Sequence, residues 1–152
     1  MTKISIVRVQ LITTGTVDIG KRAVRQPSEA VRIIRTVLLK EYQGGMPDRE
    51  VMGVLFLDTK NQVNGVEIAS IGTLNSAPVH PRELFKAAIL HNAAAVLMFH
   101  NHPSGNPEPS EPDIKVTQLM AEAGKTLGIE LLDHLIIGEG ERYTSLKEQG
   151  YF

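Results

Sequence analysis

Two histidines, His100 and His102, stand one residue apart at the end of an apolar run in the stretch FHNHPSGNPEPSEPD, and Asp113 closes it with ten residues between itself and His102. On an extended strand residues i and i+2 project to the same face, so this pair offers two imidazoles to one ion. Asp113 falls on the first turn of the helix that the following residues predict. Pro103, Pro107, Pro109 and Pro112 stiffen the connection, which lowers the entropy lost when it orders. Two imidazoles and one carboxylate suit a tetrahedral zinc whose fourth position is left to water, the arrangement of a catalytic site. Simpler readings stand beside this one. A lone histidine in an apolar setting is usually a hydrogen-bonded core residue, a reading open to His80 and His91; before Pro81, His80 also reads as a cap. Ser110 and Asp113 fit the N-cap and third helical position of a capping box. A carboxylate fixed at a helix start is also rigidly aimed, so both readings of Asp113 can hold together.

A hydrolytic zinc site needs a base close enough to take a proton from the attacking water and return it to the leaving group. The candidates are Glu50, Glu67, Glu83, Glu108 and Glu111. Glu108 and Glu111 lie in the Pro-rich connection, where carboxylates are commonly solvated. Glu50 immediately precedes the apolar run VMGVLFLD; its simpler reading is a surface acid in the turn PDRE, and composition alone does not choose among the five.

The elements around these residues follow from periodicity. KISIVRVQLI alternates and predicts an opening strand, with Ile4, Ile6 and Val9 to Leu11 roughly in register. A helix is expected from Pro27-Ser28, with Ser28 as N-cap, Val31, Ile34, Val37 and Leu38 inward, and an end near Gln43 to Gly45. VMGVLFLD and VNGVEIASIG read as two strands linked around TKNQ, the first apolar enough to be central. A second helix starts at Pro81 and runs to about Asn92 with Leu84, Phe85, Ala88 and Ile89 inward. AAAVLMFHNH is a buried strand. A third helix follows Ser110 on Val116, Leu119, Met120, Ala123 and Leu127 and closes at Gly128. IELLDHLIIG and a short RYTSL complete one α/β domain, with helices on both faces of its sheet.

The chain has 152 residues and no cysteine, so one domain is expected, disulfides are excluded, and a metal must be held by histidine and carboxylate. No stretch approaches 18 apolar residues and the N-terminus alternates, so no membrane span or leader is expected and the chain reads as cytoplasmic. Residues 1–50 hold nine Lys/Arg against five Asp/Glu, and residues 51–152 seven against twelve. KRAVR with Arg32 and Arg35 could therefore mark a DNA-facing patch; a solvated helix face is the plainer reading. Few aromatics interleave with these bases, which argues against a stacking platform for single strands.

HNHPSGNPEPSEPD resembles the His-x-His, ten residues, Asp signature of JAMM (MPN-type) metalloproteases, including its Ser-x-x-Asp at Ser110 and Asp113. GTLNSAPVHPRELFKAAILHNAAAVLMFHNHPSG and LLDHLIIG are similar to the RadC family over roughly residues 48–152, and EVMGVL matches the stretch bearing that family's upstream glutamate, at Glu50. The resemblance implies a single-domain JAMM/MPN α/β fold, cytidine-deaminase-like in layout, with a mixed sheet flanked by helices. It implies Zn2+ on His100, His102 and Asp113, Glu50 as general acid/base and Ser110 as hydrogen-bond donor to the oxyanion. The expected activity is zinc-dependent hydrolysis of a protein or peptide substrate at an amide or isopeptide carbonyl. Deaminase chemistry is not implied, because its Cys-x-x-Cys pair is missing. His80, Asp133 and His134 also match the family pattern, and Asp133 or His134 could support a ligating histidine from behind. RadC proteins typically carry an N-terminal helix-hairpin-helix region and a DNA-repair label; here residues 1–47 read as a strand and one helix packed on the same domain as residues 48–152. The rival class is a DNA-associated module of a repair or mobile-element system, with a metal-dependent nuclease between the two. Exposed sheet edges would admit a homodimer.

Overall fold

A computed structural model describes residues 1–71 and 79–152, with Ser70 and Ile71 as backbone. Gly72, which ends the expected second strand, and the family-like residues 73–78 lie outside the described residues. The elements are α1 (Pro27–Glu41), β1 (Val51–Leu57), β2 (Val63–Ile71), α2 (Pro81–Leu90), β3 (Ala95–Asn101), α3 (Glu111–Leu127), β4 (Glu130–Ile137) and β5 (Tyr143–Ser145). The strands form one mixed sheet in the order β2-β1-β3-β4-β5. Only the β3–β4 pair is parallel, and α3 is the crossover such a pair requires.

Both central strands are buried on each face, which is why they read as unbroken apolar runs. Their odd and even residues serve different layers. Val51, Leu55, Leu57, Ala95, Leu97 and Phe99 pack against Ile33, Ile34, Val37 and Leu38 of α1. Met52, Val54, Phe56, Val96 and Met98 pack instead with Leu84 and Phe85 of α2 and Met120 of α3. By strict alternation His100 belongs to the α2/α3 face and Asn101 to the α1 face.

Several expectations are corrected. Residues 1–12 form no strand, and Ile4, Ile6 and Val9 are at least two-thirds exposed. Alternation supplies two faces, but a strand also needs a ladder partner, and among the described residues none pairs with this segment. The N-terminal region packs Val17 and Ile19 on the core and bonds to the start of β2 at Arg22, whose carbonyl accepts the Val63 N–H at 2.9 Å, beside an isolated Ala23–Gln62 bridge. Ser28 is not the cap of α1: the helix begins at Pro27, and Glu29 reaches back to accept the backbone N–H groups of Arg25 and Gln26 at 2.6 and 3.2 Å. Ile89, Leu119 and Leu127 are about half exposed. On α3 Met120 is buried as expected and Val116 and Ala123 pack beside it, but the buried face otherwise runs through Asp113, Thr117 and Gly124. At Gly124 a Cβ would overlap the Ile129 carbonyl oxygen, so the missing side chain lets α3 approach the start of β4.

Candidate metal centre

The carboxyl end of β3 delivers His100, fully buried, and His102, partly exposed, to the face that carries α3. Their Nε2 atoms lie 3.0 Å apart. Asp113 enters from the first turn of α3, where its Oδ2 accepts the Ser110 N–H at 2.8 Å and its own N–H donates to Ser110 Oγ at 3.2 Å. This reciprocal box satisfies two helix-start donors and fixes the carboxylate. Asp113 Oδ1 then stands 3.2 Å from His100 Nε2, and Oδ2 stands 3.2 Å from His102 Nε2. Glu50, just before β1, brings Oε1 to 3.5 Å from His100 Nε2 and 3.9 Å from His102 Nε2. One ligand atom from each of Glu50, His100, His102 and Asp113 falls within 4.8 Å of the other three.

The hydrogen-bond partners behind the rings determine what faces this point. The Thr117 hydroxyl lies 2.6 Å from the Asp113 carbonyl oxygen, which can only accept, so the hydroxyl donates there. Its oxygen, 2.5 Å from His134 Nδ1, must then accept from that nitrogen. His134 Nε2 is thereby left as an acceptor, and it meets His100 Nδ1 at 2.7 Å, so His100 donates from Nδ1. His102 Nδ1 likewise donates, to the Asn106 carbonyl at 2.8 Å. Both neutral rings consequently turn their Nε2 lone pairs toward each other and toward a carboxylate. Acceptors this close need a cation among them, either a proton or a metal ion, and the set of two imidazole nitrogens with carboxylate oxygen fits zinc-type ligation.

The titration behaviour follows the same geometry. Burial raises the pKa of Asp113, but where a proton takes the ion's place on the facing Nε2 atoms, hydrogen bonds and charge from the protonated imidazole side, together with the Ser110 N–H, outweigh it and hold the carboxyl well below its usual range. The hydrogen bond to Asp113 pushes His102 upward against its own partial burial. Full burial, reinforced by the neighbouring His100, drives His134 well below the ordinary histidine value and keeps it neutral.

Of the five glutamates weighed, Glu50 joins the cluster. Glu67 sits on β2 opposite Val54, where burial raises its pKa. Glu83, Glu108 and Glu111 are exposed. His80 is an exposed N-cap of α2 rather than a core residue, and His91 packs its ring on Phe56 with centroids 5.0 Å apart. Between Asp133 and His134, it is His134 that bonds to a histidine of the cluster, His100. Asp133 accepts from Ser145 Oγ at 2.6 Å and from the His134 and Lys147 N–H groups at 2.7 and 3.1 Å, tying β4 to β5. Arg22, Arg32 and Arg35, part of the basic N-terminal run, donate to the backbone carbonyls of Val63, of Ile19 and Lys21, and of Gly138 and Arg142. Thr117 and Asn101 were not anticipated as parts of the site. The signals existed: Thr117 lies one helical turn from Asp113 on the inward face, and Asn101 is a polar residue inside a buried strand.

A five-stranded mixed sheet between helical layers, with a His-x-His pair at a strand end facing a helix-start Asp and an upstream Glu, defines a JAB/MPN-type domain with a candidate metal centre. The chain belongs to the RadC family: the family model described as "RadC-like JAB domain" matches residues 24–151, extending the likeness from 48–152 back through α1. Among similar proteins are three described as "UPF0758 protein". That of Methanosarcina acetivorans is 56% identical over 103 residues, 68% of this chain and 44% of the relative. That of Desulforudis audaxviator is 49% identical over 142 residues, 89% of this chain and 60% of the relative. That of Listeria monocytogenes is 48% identical over 129 residues, 85% of this chain and 54% of the relative. The chain thus spans about half the length of the curated relatives it matches. Family and cluster together fit a metallohydrolase of the JAMM type. Among the described residues no helix is long and apolar enough to cross a membrane.

Proposed function

We propose that this domain is a zinc-dependent peptidase or isopeptidase, in which His100, His102 and Asp113 hold the ion, Glu50 is the general acid/base and Ser110 donates to the oxyanion. The observation that carries this reading is the convergence of two outward-facing Nε2 lone pairs, a buried carboxylate and the Glu50 carboxylate within 4.8 Å. Bound there, zinc supplies Lewis acidity and lowers the pKa of water at its open position. Glu50, half-buried and farther from the His102 nitrogen than Asp113 is, is placed to accept a proton beside the three ligands and pass it to a leaving amine. Ser110 Oγ accepts from Asp113 N in the cap, which leaves the hydroxyl hydrogen for donation to a substrate carbonyl.

The test combines metal analysis with a peptide-library digest by the zinc-loaded chain. About one zinc per chain is expected, reduced in His100→Ala, His102→Ala and Asp113→Ala and retained in Glu50→Gln. Glu50→Gln should lose roughly 10²–10⁴-fold in turnover, the usual contribution of an acid/base group. Zinc retained by all three ligand variants, or full turnover in Glu50→Gln, overturns the assignment. A zinc-loaded protein that cuts DNA and no peptide overturns the substrate class.

A further inference from the structure

The residue between the two histidines serves neither ring. Asn101 is 3% exposed and points to the opposite face of β3 from His100. There its Oδ1 accepts the Val51 N–H at 2.7 Å, and its Nδ2 donates to the Arg49 carbonyl at 2.9 Å and toward the Pro47 carbonyl at 3.4 Å. The amide orientation follows from these partners, since the flipped form would set an oxygen against two carbonyls. The β1–β3 ladder ends at Met52 opposite His100. Beyond that pair the Asn101 side chain takes over the bonding that the ladder would have supplied.

The two closest partners are the groups that bracket Glu50. The Arg49 carbonyl belongs to the peptide unit preceding the Glu50 Cα, and the Val51 N–H belongs to the unit following it. One short, buried amide therefore holds both peptide planes around Glu50, and with them the two backbone dihedrals that aim its side chain. We propose that Asn101 is a positioning residue for Glu50. It holds the base-bearing residue in register with the histidine pair that its own strand delivers, so that His-Asn-His works as one unit: ligand, clasp, ligand. This inference rests on the role proposed for Glu50, and its test is built so that the two can fail separately.

Asn101→Asp keeps the volume and the acceptor for Val51 but removes the donor to Arg49. Asn101→Ser is the second variant, smaller and free of added charge, should the first fail to fold. Both are compared with wild type for zinc content, for turnover alone and in the Glu50→Gln background, and for carbodiimide labelling of the Glu50 carboxyl read by mass spectrometry. The expected result is wild-type zinc content, a kcat lowered roughly 10²-fold with KM within about threefold, and Glu50 labelled several-fold faster. A displacement of about 1 Å at a catalytic group costs on the order of 10²-fold. In the Glu50→Gln background, followed over long incubations, the same substitutions should change the residual rate less than about threefold, because the group they act through is already gone. Equal losses in both backgrounds, loss of zinc from both variants, or unchanged Glu50 labelling each overturn the positioning role. If wild type hydrolyses no peptide, the proposed function fails while the labelling comparison still decides the clasp.

Discussion

Replacing Thr117 with valine removes one oxygen from a buried helix position and none of the side-chain atoms that face the ion; the hydroxyl's only bond to Asp113 is to the backbone carbonyl. It should nonetheless weaken zinc binding, through the tautomers of two rings. In the native arrangement the hydroxyl accepts from His134 Nδ1 at 2.5 Å, which leaves His134 Nε2 to accept from His100 Nδ1 at 2.7 Å. With valine present the metal-free protein has two choices. It can leave the His134 Nδ1–H unbonded in a fully buried site, at about 1–3 kcal/mol. Alternatively both rings reverse, His134 donates from Nε2, and the His100 proton moves to the Nε2 that faces Asp113.

The reversed state places a proton where the ion must sit, so binding has to undo it. The affinity lost equals the free energy by which the reversed state lies below the native one, and it cannot exceed the 1–3 kcal/mol of the unbonded N–H, a ceiling of about 150-fold. Substitutions behind ligating histidines typically cost about 10–100-fold, so a drop near tenfold is expected. Competition against a chelator of known zinc affinity measures it, and nitrogen-15 shifts of the ring nitrogens in the metal-free protein report the tautomers. Thr117→Ser restores the hydroxyl and should remain within about twofold of wild type. A Thr117→Val protein that binds zinc as tightly as wild type while its rings have reversed would refute the reasoning, as would equal weakening in Thr117→Ser.

Ser110→Ala removes the cap oxygen that accepts from Asp113 N and should cost about 1 kcal/mol by urea denaturation; if the hydroxyl also serves the oxyanion, turnover falls roughly 10²–10³-fold. Gly124→Ala would gain about 1 kcal/mol on an exposed helix, but here its methyl meets the Ile129 carbonyl oxygen, so an overpacking penalty of about 1–3 kcal/mol should lower the urea midpoint; a raised midpoint would show that α3 can retreat freely. In the metal-free protein the Asp113 carboxyl is held below its ordinary value of 3.8. Its contribution to stability is therefore complete above that value and is lost as pH falls through the acid range, and Asp113→Asn should flatten that acid limb.

The parts of the site legible in the sequence were those set by local spacing. His100 and His102 share a face because strands repeat every two residues, and Asp113 is aimed by its own capping box. Glu50 was singled out from five glutamates by resemblance alone, since nothing within PDRE says that β1 will lie beside β3. The opening strand failed for a related reason: KISIVRVQLI carries the pattern, but a ladder partner is a tertiary fact that no pattern contains. Ile89, Leu119 and Leu127 were expected inside because they are apolar. On α3 the buried face includes Thr117 and Gly124, residues that a hydrophobicity pattern passes over.

The placement of His134 shows most clearly what spacing cannot carry. Along β4 a strict two-residue repeat would put Leu131, Asp133, Leu135 and Ile137 on one face, yet Leu131 packs with α2 and α3 whereas Leu135 and Ile137 pack with α1. The β3–β4 register explains the change: Val96 pairs with Leu131 and Leu97 with Asp133, so one residue of β4 is left over at Leu132. A one-residue bulge reverses which face each later side chain meets. It is this reversal that turns His134 toward the α3 face, opposite Met98 and within reach of both His100 and Thr117. Without it Asp133 would occupy that face, and the ring behind His100 would be replaced by a carboxylate. The tautomer that frees His100 Nε2 for an ion therefore depends on a backbone irregularity at Leu132, just downstream of Gly128, which closes α3, in a stretch whose composition gives no sign of it.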